Sequence, residues 1–435
     1  MTKPEYRRRR ARLMEIMGPD SIAILPNSPV VPRNRDVDYP YRSDSNFFYL
    51  SGFDEPESVI VLMPGRAHGE FLLFCRERDL SKEIWDGYRA GQEGAVSNFA
   101  ADDSYPITDL DDILPGLMEN KEKVYYTMGS QPAFDQRIVN WLNHLRQASR
   151  SGKHSPTEII ELEHCLNELR LFKSSQEIKA MKQAADASVA AHIRAMQFTR
   201  PGRWEYEVEA ELIHEFMRHG CRSPAYPSIV GGGENGCILH YIENNKKLKN
   251  NDLLLIDAGA EYQCYAADIT RTFPVNGTFT KPQRDLYTVV LEAQKAAIAA
   301  VKPGNHWNQP HEVAVDILTQ GLIDFGLLKG NHAQLVEQEA YRDFYMHRTG
   351  HWLGMDVHDV GDYKVGGEWR MLEPGMVLTI EPGLYIRNPD HIDSKWHFTG
   401  IRIEDDVLVT KEGHEVLTSG APKEIDEIEA VMAGA

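Results

Sequence analysis

The stretch LLLIDAGAEYQCYAADITRTF, residues 253–273, decides how the second half of this chain is built. It opens on a continuously apolar run, Leu253-Leu254-Leu255-Ile256, of the kind buried within a sheet, and runs straight into Asp257. A second strand carries Asp268-Ile269-Thr270-Arg271-Thr272-Phe273. A symmetric hairpin turning at Tyr262-Gln263 sets Asp257 directly opposite Asp268, and facing residues of a strand pair lie ~4.5–5.5 Å apart. Two carboxylates that close in a buried sheet repel, so one takes up a proton unless a cation stands between them. Such oxygen donors favour hard or borderline metals.

The theme recurs further on. Met376-Val377-Leu378-Thr379-Ile380 is another apolar strand and ends at Glu381, while Ile401-Arg402-Ile403-Glu404-Asp405-Asp406 alternates as a strand does and offers Glu404 as a second facing carboxylate. Ahead of both stands HRTGHWLGMDVHDVG, with His347, His351 and His358. The His347-x-x-x-His351 spacing mimics a zincin helix, but Arg348 stands where the glutamate belongs and Gly350 weakens a helix. Taken singly, a strand-end aspartate is usually a turn residue and a lone histidine a satisfied polar group. Four carboxylates at the ends of apolar strands beside a histidine cluster need a counter-ion. This reading leaves the choice among the three histidines open.

Each carboxylate pair follows the same helical preamble. Ser174-Ser175-Gln176-Glu177 is a capping box that starts a long helix to about Gln197, followed by Arg200-Pro201-Gly202 and a helix from Glu205 to Arg218. Pro282 to Val301 reads as a second long helix, followed by Lys302-Pro303-Gly304 and a helix from His311 to Phe325. The repeat predicts two pseudo-equivalent α+β halves with a site between them. Gly231-Gly232-Gly233-Glu234-Asn235-Gly236 matches a dinucleotide fingerprint in letters only. That fingerprint opens a helix, whereas Cys237-Ile238-Leu239-His240-Tyr241 reads as a strand, so the glycines are a turn presenting His240.

The first ~170 residues read as a smaller mixed α/β domain, with strands at Ser21–Pro26, Phe47–Ser51, Ser58–Met63, Glu70–Cys75 and Lys123–Thr127 and a helix at Asp135–Leu145. The aromatic run from Tyr39 to Tyr49 reads as core packing. QASRSGKHSPT, from Gln147 to Thr157, is a polar connector, and the domains are placed at 1–171 and 172–435. Over 435 residues the charged content is 26% and the net charge −18, against a nucleic-acid partner. The basic run Arg7-Arg8-Arg9-Arg10 reads as a solvated helix face. No segment has the length of a membrane span, and MTKPEYRRRR lacks a signal-peptide pattern. Five scattered cysteines without C-x-x-C fit reduced thiols in a cytoplasm.

DAGAEYQCYAADITRTFPV, HRTGHWLGMDVHDVG, LEPGMVLTIEPGLYI and GIRIEDD together resemble the metal-binding signature of the creatinase/methionine-aminopeptidase ("pita-bread") family of metallopeptidases. YPYRSDSNFFYLSGFDEPESV resembles the N-terminal domain of its Xaa-Pro aminopeptidase branch, so the match spans nearly the whole chain. The resemblance implies an α+β chain whose C-terminal domain is a pseudo-twofold pita-bread fold. It implies two divalent metal ions, manganese by preference. Asp257 would hold one and Asp268 would bridge both; His351 and Glu381 would hold the other, with Glu404 bridging. It further implies hydrolysis of the N-terminal Xaa-Pro bond of peptides by a hydroxide between the metals, with Glu381 as general base. His240 and His358 would contact the substrate carbonyl and help protonate the leaving nitrogen. His347 would wall the proline pocket, Arg402 would orient Glu404, and Tyr385 would contact the site. The N-terminal domain would cover the site and mediate a dimer or tetramer, with Trp85 and Arg150 reaching a neighbouring subunit. Prolidase activity on dipeptides and a non-catalytic binding role are the competing readings. One departure is visible: where the signature carries a further glycine before GIRIED, this chain has Phe398.

Overall fold

The computed structural model describes residues 1–388 and 390–434. The chain divides into two compact units, Met1–Leu169 and Arg170–Ala435. In the first, a six-stranded mixed sheet runs in the order Asp103–Pro106, Phe71–Cys75, Val59–Leu62, Ser21–Pro26, Lys123–Tyr125, Glu158–Ile160. Ser21–Pro26 pairs antiparallel to Val59–Leu62 and parallel to Lys123–Tyr125. Helices Leu110–Met118 and Pro132–Gln147 bury Leu114, Ile138 and Leu142 in this unit's core.

Two expectations fail here. Phe47–Ser51 is not a strand but the body of a helix, Ser45–Ser51. Its apolar letters suit a strand, but Asp44 caps it by accepting the Phe47 N–H at 2.9 Å, and Gly52 closes it in the left-handed region at φ 65°. The arginine run is not wholly solvated either. Arg7 and Arg8 are exposed, but Arg9 and Arg10 are buried and donate to the carbonyls of Tyr49 (3.0 Å) and Leu50 (2.7 Å) at the end of that helix. Positive charge on the last helical carbonyls is where the peptide dipoles favour it. In the aromatic run, Phe47 and Tyr49 are core residues, whereas Tyr39 is 54% exposed.

The second unit shows the expected two α+β halves. The capped helix Ser175–Phe198 and helix Glu205–Arg218 precede a three-stranded sheet of Thr270–Pro274, Leu253–Asp257 and Ile229–Gly232. Helices Lys281–Ala299 and Gln309–Asp324 precede Val377–Ile380, Asp405–Thr410 and Gly413–Val416. The Ser174 and Glu177 capping box is present as read. The halves also correspond in one buried detail. His192 of the first long helix meets the carbonyl of Ala258 at 3.0 Å, and Gln294 of the second donates to Asp405 at 2.8 Å. These two residues are spaced as Pro201 is from Pro303, and each braces the residue next to a predicted ligand.

Residues 237–241 do not form a strand: Gly233–Cys237 is a single 3-10 turn and the chain then loops through His240. Gly400 allows the tight path: a Cβ there would stand 2.1 Å from the Gly236 carbonyl oxygen, so only glycine fits at position 400.

Candidate active site

The first hairpin turns one residue later than its symmetry predicts. Gln263 and Cys264 both sit at positive φ (50° and 63°), so Tyr262 pairs with Tyr265 and Asp257 faces Thr270, not Asp268. A shift of one at the turn moves the partner by two, which keeps the side chain on the same face. Asp268 therefore remains a diagonal neighbour of Asp257. The hydroxyl of Tyr226 spans them, 2.6 Å from Asp257 Oδ1 and 2.5 Å from Asp268 Oδ1. In the second half Ile380 pairs with Asp405 and Gly383 with Arg402, a register that sets Glu381 opposite Glu404.

His351 is delivered by backbone pairing. Residues 349–353 run beside the strand Val377–Ile380: Thr379 N–H donates to His351 at 2.9 Å, Glu381 N–H to Thr349 at 2.7 Å, and Leu353 N–H to Val377 at 3.0 Å. A Cβ on Gly350 would lie 1.9 Å from the Thr379 carbonyl oxygen, so this close approach is what demands glycine. No helix forms over 347–351, in keeping with the rejected zincin reading. His351 Nδ1 lies 3.0 Å from the carbonyl of Trp352 and can only donate to it. Nε2 is therefore the nitrogen left for a metal, which would take the place of its proton, and it faces Asp268 Oδ2 at 3.5 Å and Glu381 Oε1 at 3.9 Å.

Donor atoms of Asp268, His351 and Glu404 lie within 4.8 Å of one another. Asp257 and Glu381 adjoin this trio. Arg402, on the face of its strand that Glu404 shares, donates from Nη2 to Asp257 Oδ2 at 2.6 Å, from Nη1 to the Tyr385 hydroxyl at 2.9 Å and from Nε to Thr270 Oγ1 at 3.0 Å. Thr270 in turn donates to Glu404 at 2.6 Å. Arg402 thus contacts Asp257 directly and reaches Glu404 through Thr270.

The electrostatics call for a cation. Burial pushes Asp257 up to about 6, aided by Asp268 and opposed by Arg402. Burial pushes Glu381 up to about 7, and holds Glu404 well above the carboxylate range with Asp268 and Glu381 adding to the rise. Burial works against a charged His351, yet its contact with Asp268 outweighs this and lifts it to about 9. Crowded carboxylate oxygens around one imidazole nitrogen, whose proton a metal would displace, are the donor chemistry of a divalent metal site, and the residues present fit it.

A cavity of about 590 Å³ opens over these groups, lined in part by His240, His347, His358, Ile229, Ile242 and Val357. His240 and His358 are exposed at its rim; the ring of His358 lies 4.3 Å from that of His351. His347 has both nitrogens engaged, Nδ1 at 2.8 Å from the Arg348 carbonyl and Nε2 at 2.8 Å from the Tyr385 hydroxyl. Since Arg402 donates to that hydroxyl, the phenol donates onward to His347. Burial pushes His347 down to about 3, so it is a neutral wall. Tyr385 itself is 2% exposed and stands behind His347 rather than at the cavity surface.

The sequence model of metallopeptidase family M24 matches residues 179–411, and that of the aminopeptidase P N-terminal domain matches residues 6–125. The chain belongs to metallopeptidase family M24. It is 44% identical to the Xaa-Pro aminopeptidase of Escherichia coli K12, over 100% of this chain and 99% of that one. Among solved structures it resembles the aminopeptidase PepP of Pseudomonas aeruginosa, with 56% identity, a TM-score of 0.99 and coverage of 100% and 98%. A zinc-substituted E. coli aminopeptidase P in complex with product matches at 44% identity and a TM-score of 0.97, covering 100% and 99%. As a member of this family the chain is an aminopeptidase-type metalloenzyme with the pita-bread fold.

Two residues of this M24 site escape the sequence reading. Thr270 was legible in principle, two positions after Asp268 on the same strand face. Tyr226 was not, because it lies in an irregular loop whose path is set by tertiary pairing, with Ser223 and Pro224 beside Glu261 and Ala260 and the Ala225 N–H donating to the Gly259 carbonyl at 2.8 Å. Phe398 occupies the departure from the signature with φ 58°, the left-handed conformation a glycine would take freely. It sits just before the strand Thr399–Arg402 and leaves Arg402 and Glu404 in place. Trp85 and Arg150 belong to the first unit and are exposed, Trp85 by 86%, which excludes buried packing for it.

Proposed function

We propose that this chain is a metal-dependent Xaa-Pro aminopeptidase, hydrolysing the bond before proline at the N-terminus of peptides. The observation that carries this reading is the convergence of Asp268, His351 and Glu404 with Asp257 and Glu381 at the base of a histidine-rimmed cavity. In this proposal Asp257, Asp268, His351, Glu381 and Glu404 would together hold two divalent ions; manganese suits so oxygen-rich a set. When bound, the ions supply an activated water and polarise the scissile carbonyl. Glu381 takes the water's proton. His240 and His358 at the rim donate to the substrate carbonyl and carry a proton to the proline nitrogen, a poor leaving group unless protonated. His347, with no free donor, walls the proline pocket together with the Tyr385 hydroxyl behind it, and Arg402 keeps Asp257 and Glu404 aimed inward.

The exposed apolar set Leu80, Ile84, Trp85 and Tyr88, between 73% and 92% exposed, supports assembly of the first unit into a homo-oligomer in which Trp85 and Arg150 serve a neighbouring site. No described helix is long and apolar enough to cross a membrane, and the five free thiols fit a cytoplasmic setting. Metal analysis coupled to hydrolysis of Arg-Pro-Pro and Gly-Pro tests the reading. Cleavage of Arg-Pro-Pro that tracks bound manganese and vanishes in Asp268→Ala supports it. Activity on Gly-Pro alone means a prolidase, and undiminished activity in metal-free protein or in Asp268→Ala refutes the metal mechanism.

A further inference from the structure

Directly behind His358 lies a cluster of buried charges that the proposed chemistry does not use. Asp359 is 6% exposed and gives each oxygen to a cation: Oδ1 accepts from Arg170 Nη2 at 2.6 Å and Oδ2 from Lys173 Nζ at 2.9 Å. The same Arg170 nitrogen donates to Asp356 Oδ2 at 2.7 Å. Arg170 and Lys173 are themselves 2% and 6% exposed. Desolvating two cations this fully is costly, and hydrophobic residues of similar volume often serve stability as well or better.

The cluster is built around the histidine loop. Asp359 N–H donates to the Trp352 carbonyl at 2.9 Å, closing residues 352–359 into a ring that begins just after His351 and contains His358. A Cβ on Gly354 would stand 2.1 Å from Asp359 Oδ2 and 2.9 Å from Lys173 Cε, and one on Gly361 2.9 Å from Leu171. Lys173 N–H also donates to the Gly375 carbonyl at 2.8 Å, just ahead of the strand that leads to Glu381. Residues 170–173 therefore anchor both the loop and that strand. These residues lie between 125 and 179, a stretch that neither family model covers. Among the described residues no hydrogen bond reaches the ring of His358, so its placement depends on the backbone that Asp359 pins.

We propose that Arg170, Lys173 and Asp359 are positioning residues that hold His358 at the cavity rim for its proton transfer. This rests on the role given to His358 above. Residue pairs that act only through one another lose their effect when the second is gone, which separates positioning from general loosening. The test measures kcat and KM for Arg-Pro-Pro, with bound manganese quantified, in Lys173→Met and Asp359→Asn, each alone and in a His358→Ala background. Both single variants are expected to lose at least ~10-fold in kcat, with KM and metal content held. Neither is expected to slow His358→Ala further, and Lys173→Arg should restore most of the rate. Should Asp359→Asn fail to fold, the Lys173 pair decides. Wild-type kcat in the single variants, an equal further loss in the His358→Ala background, or a loss explained by missing metal overturns the inference. Full activity of His358→Ala would instead refute the role of His358 itself.

Discussion

Gly350→Ala offers a direct measure of how the metal site is assembled. The new methyl carbon would lie 1.9 Å from the Thr379 carbonyl oxygen, against 3.4 Å for ordinary contact, so the backbones must part by about 1.5 Å. The obstructing atom is backbone and cannot rotate away. That displacement breaks the bonds joining His351 to Thr379 (2.9 and 3.1 Å) and Glu381 to Thr349 (2.7 Å). At ~1 kcal/mol net each, the fold loses about 3 kcal/mol. His351 Nε2 also moves away from Asp268 and Glu381, and a ligand displaced by ~1 Å costs on the order of 100-fold in activity. Urea unfolding of the metal-free protein reads the first effect. Manganese retained after dialysis, with the rate on Arg-Pro-Pro, reads the second. A variant with unchanged unfolding midpoint and full metal content would refute the claim that close backbone pairing delivers His351.

Tyr226→Phe removes the donor shared by Asp257 and Asp268 and should destabilise the metal-free protein by about 1.5–3 kcal/mol, the range for a hydrogen bond to a charged group; saturating manganese should shrink that loss, and equal losses with and without metal in thermal unfolding would contradict it. Phe398→Gly relieves a left-handed φ of 58° at an exposed position and should raise stability by up to about 1 kcal/mol, whereas a clear loss of stability in urea unfolding would show that the aromatic ring packs usefully. His192 is buried and neutral, with burial pushing it down to about 4. The unfolded chain therefore binds the proton first, and the stability this group provides is complete above about pH 6.5 and falls as pH drops toward 4. Relative to His192→Gln, the protein should lose about 2 kcal/mol between pH 7.5 and 5; parallel stability curves for the two proteins would exclude it.

Sequence periodicity carried the second unit far. Helix Glu205–Arg218, the capping box at Ser174 and the apolar strands that lead into Asp257 and Glu381 are local features, set by hydrophobic pattern, caps and Pro-Gly stops, and they read off the letters. Local patterning could not fix the hairpin register, since a turn at Gln263-Cys264 or one residue earlier leaves the same residues on the same face. Nor could it tell Arg9 and Arg10 from their exposed neighbours, because the carbonyls they cap belong to residues about forty positions away. Phe47–Ser51 carries strand letters, and its helix is secured by the Asp44 cap and by those distant arginines. The sequence by itself determined which carboxylates and histidines were available and that they end apolar strands. Tertiary structure decided which atoms meet: Tyr226 between two aspartates, Thr270 under Glu404, and the buried cations behind His358. Those contacts arise from chain segments far apart in sequence, where no local periodicity records the distance.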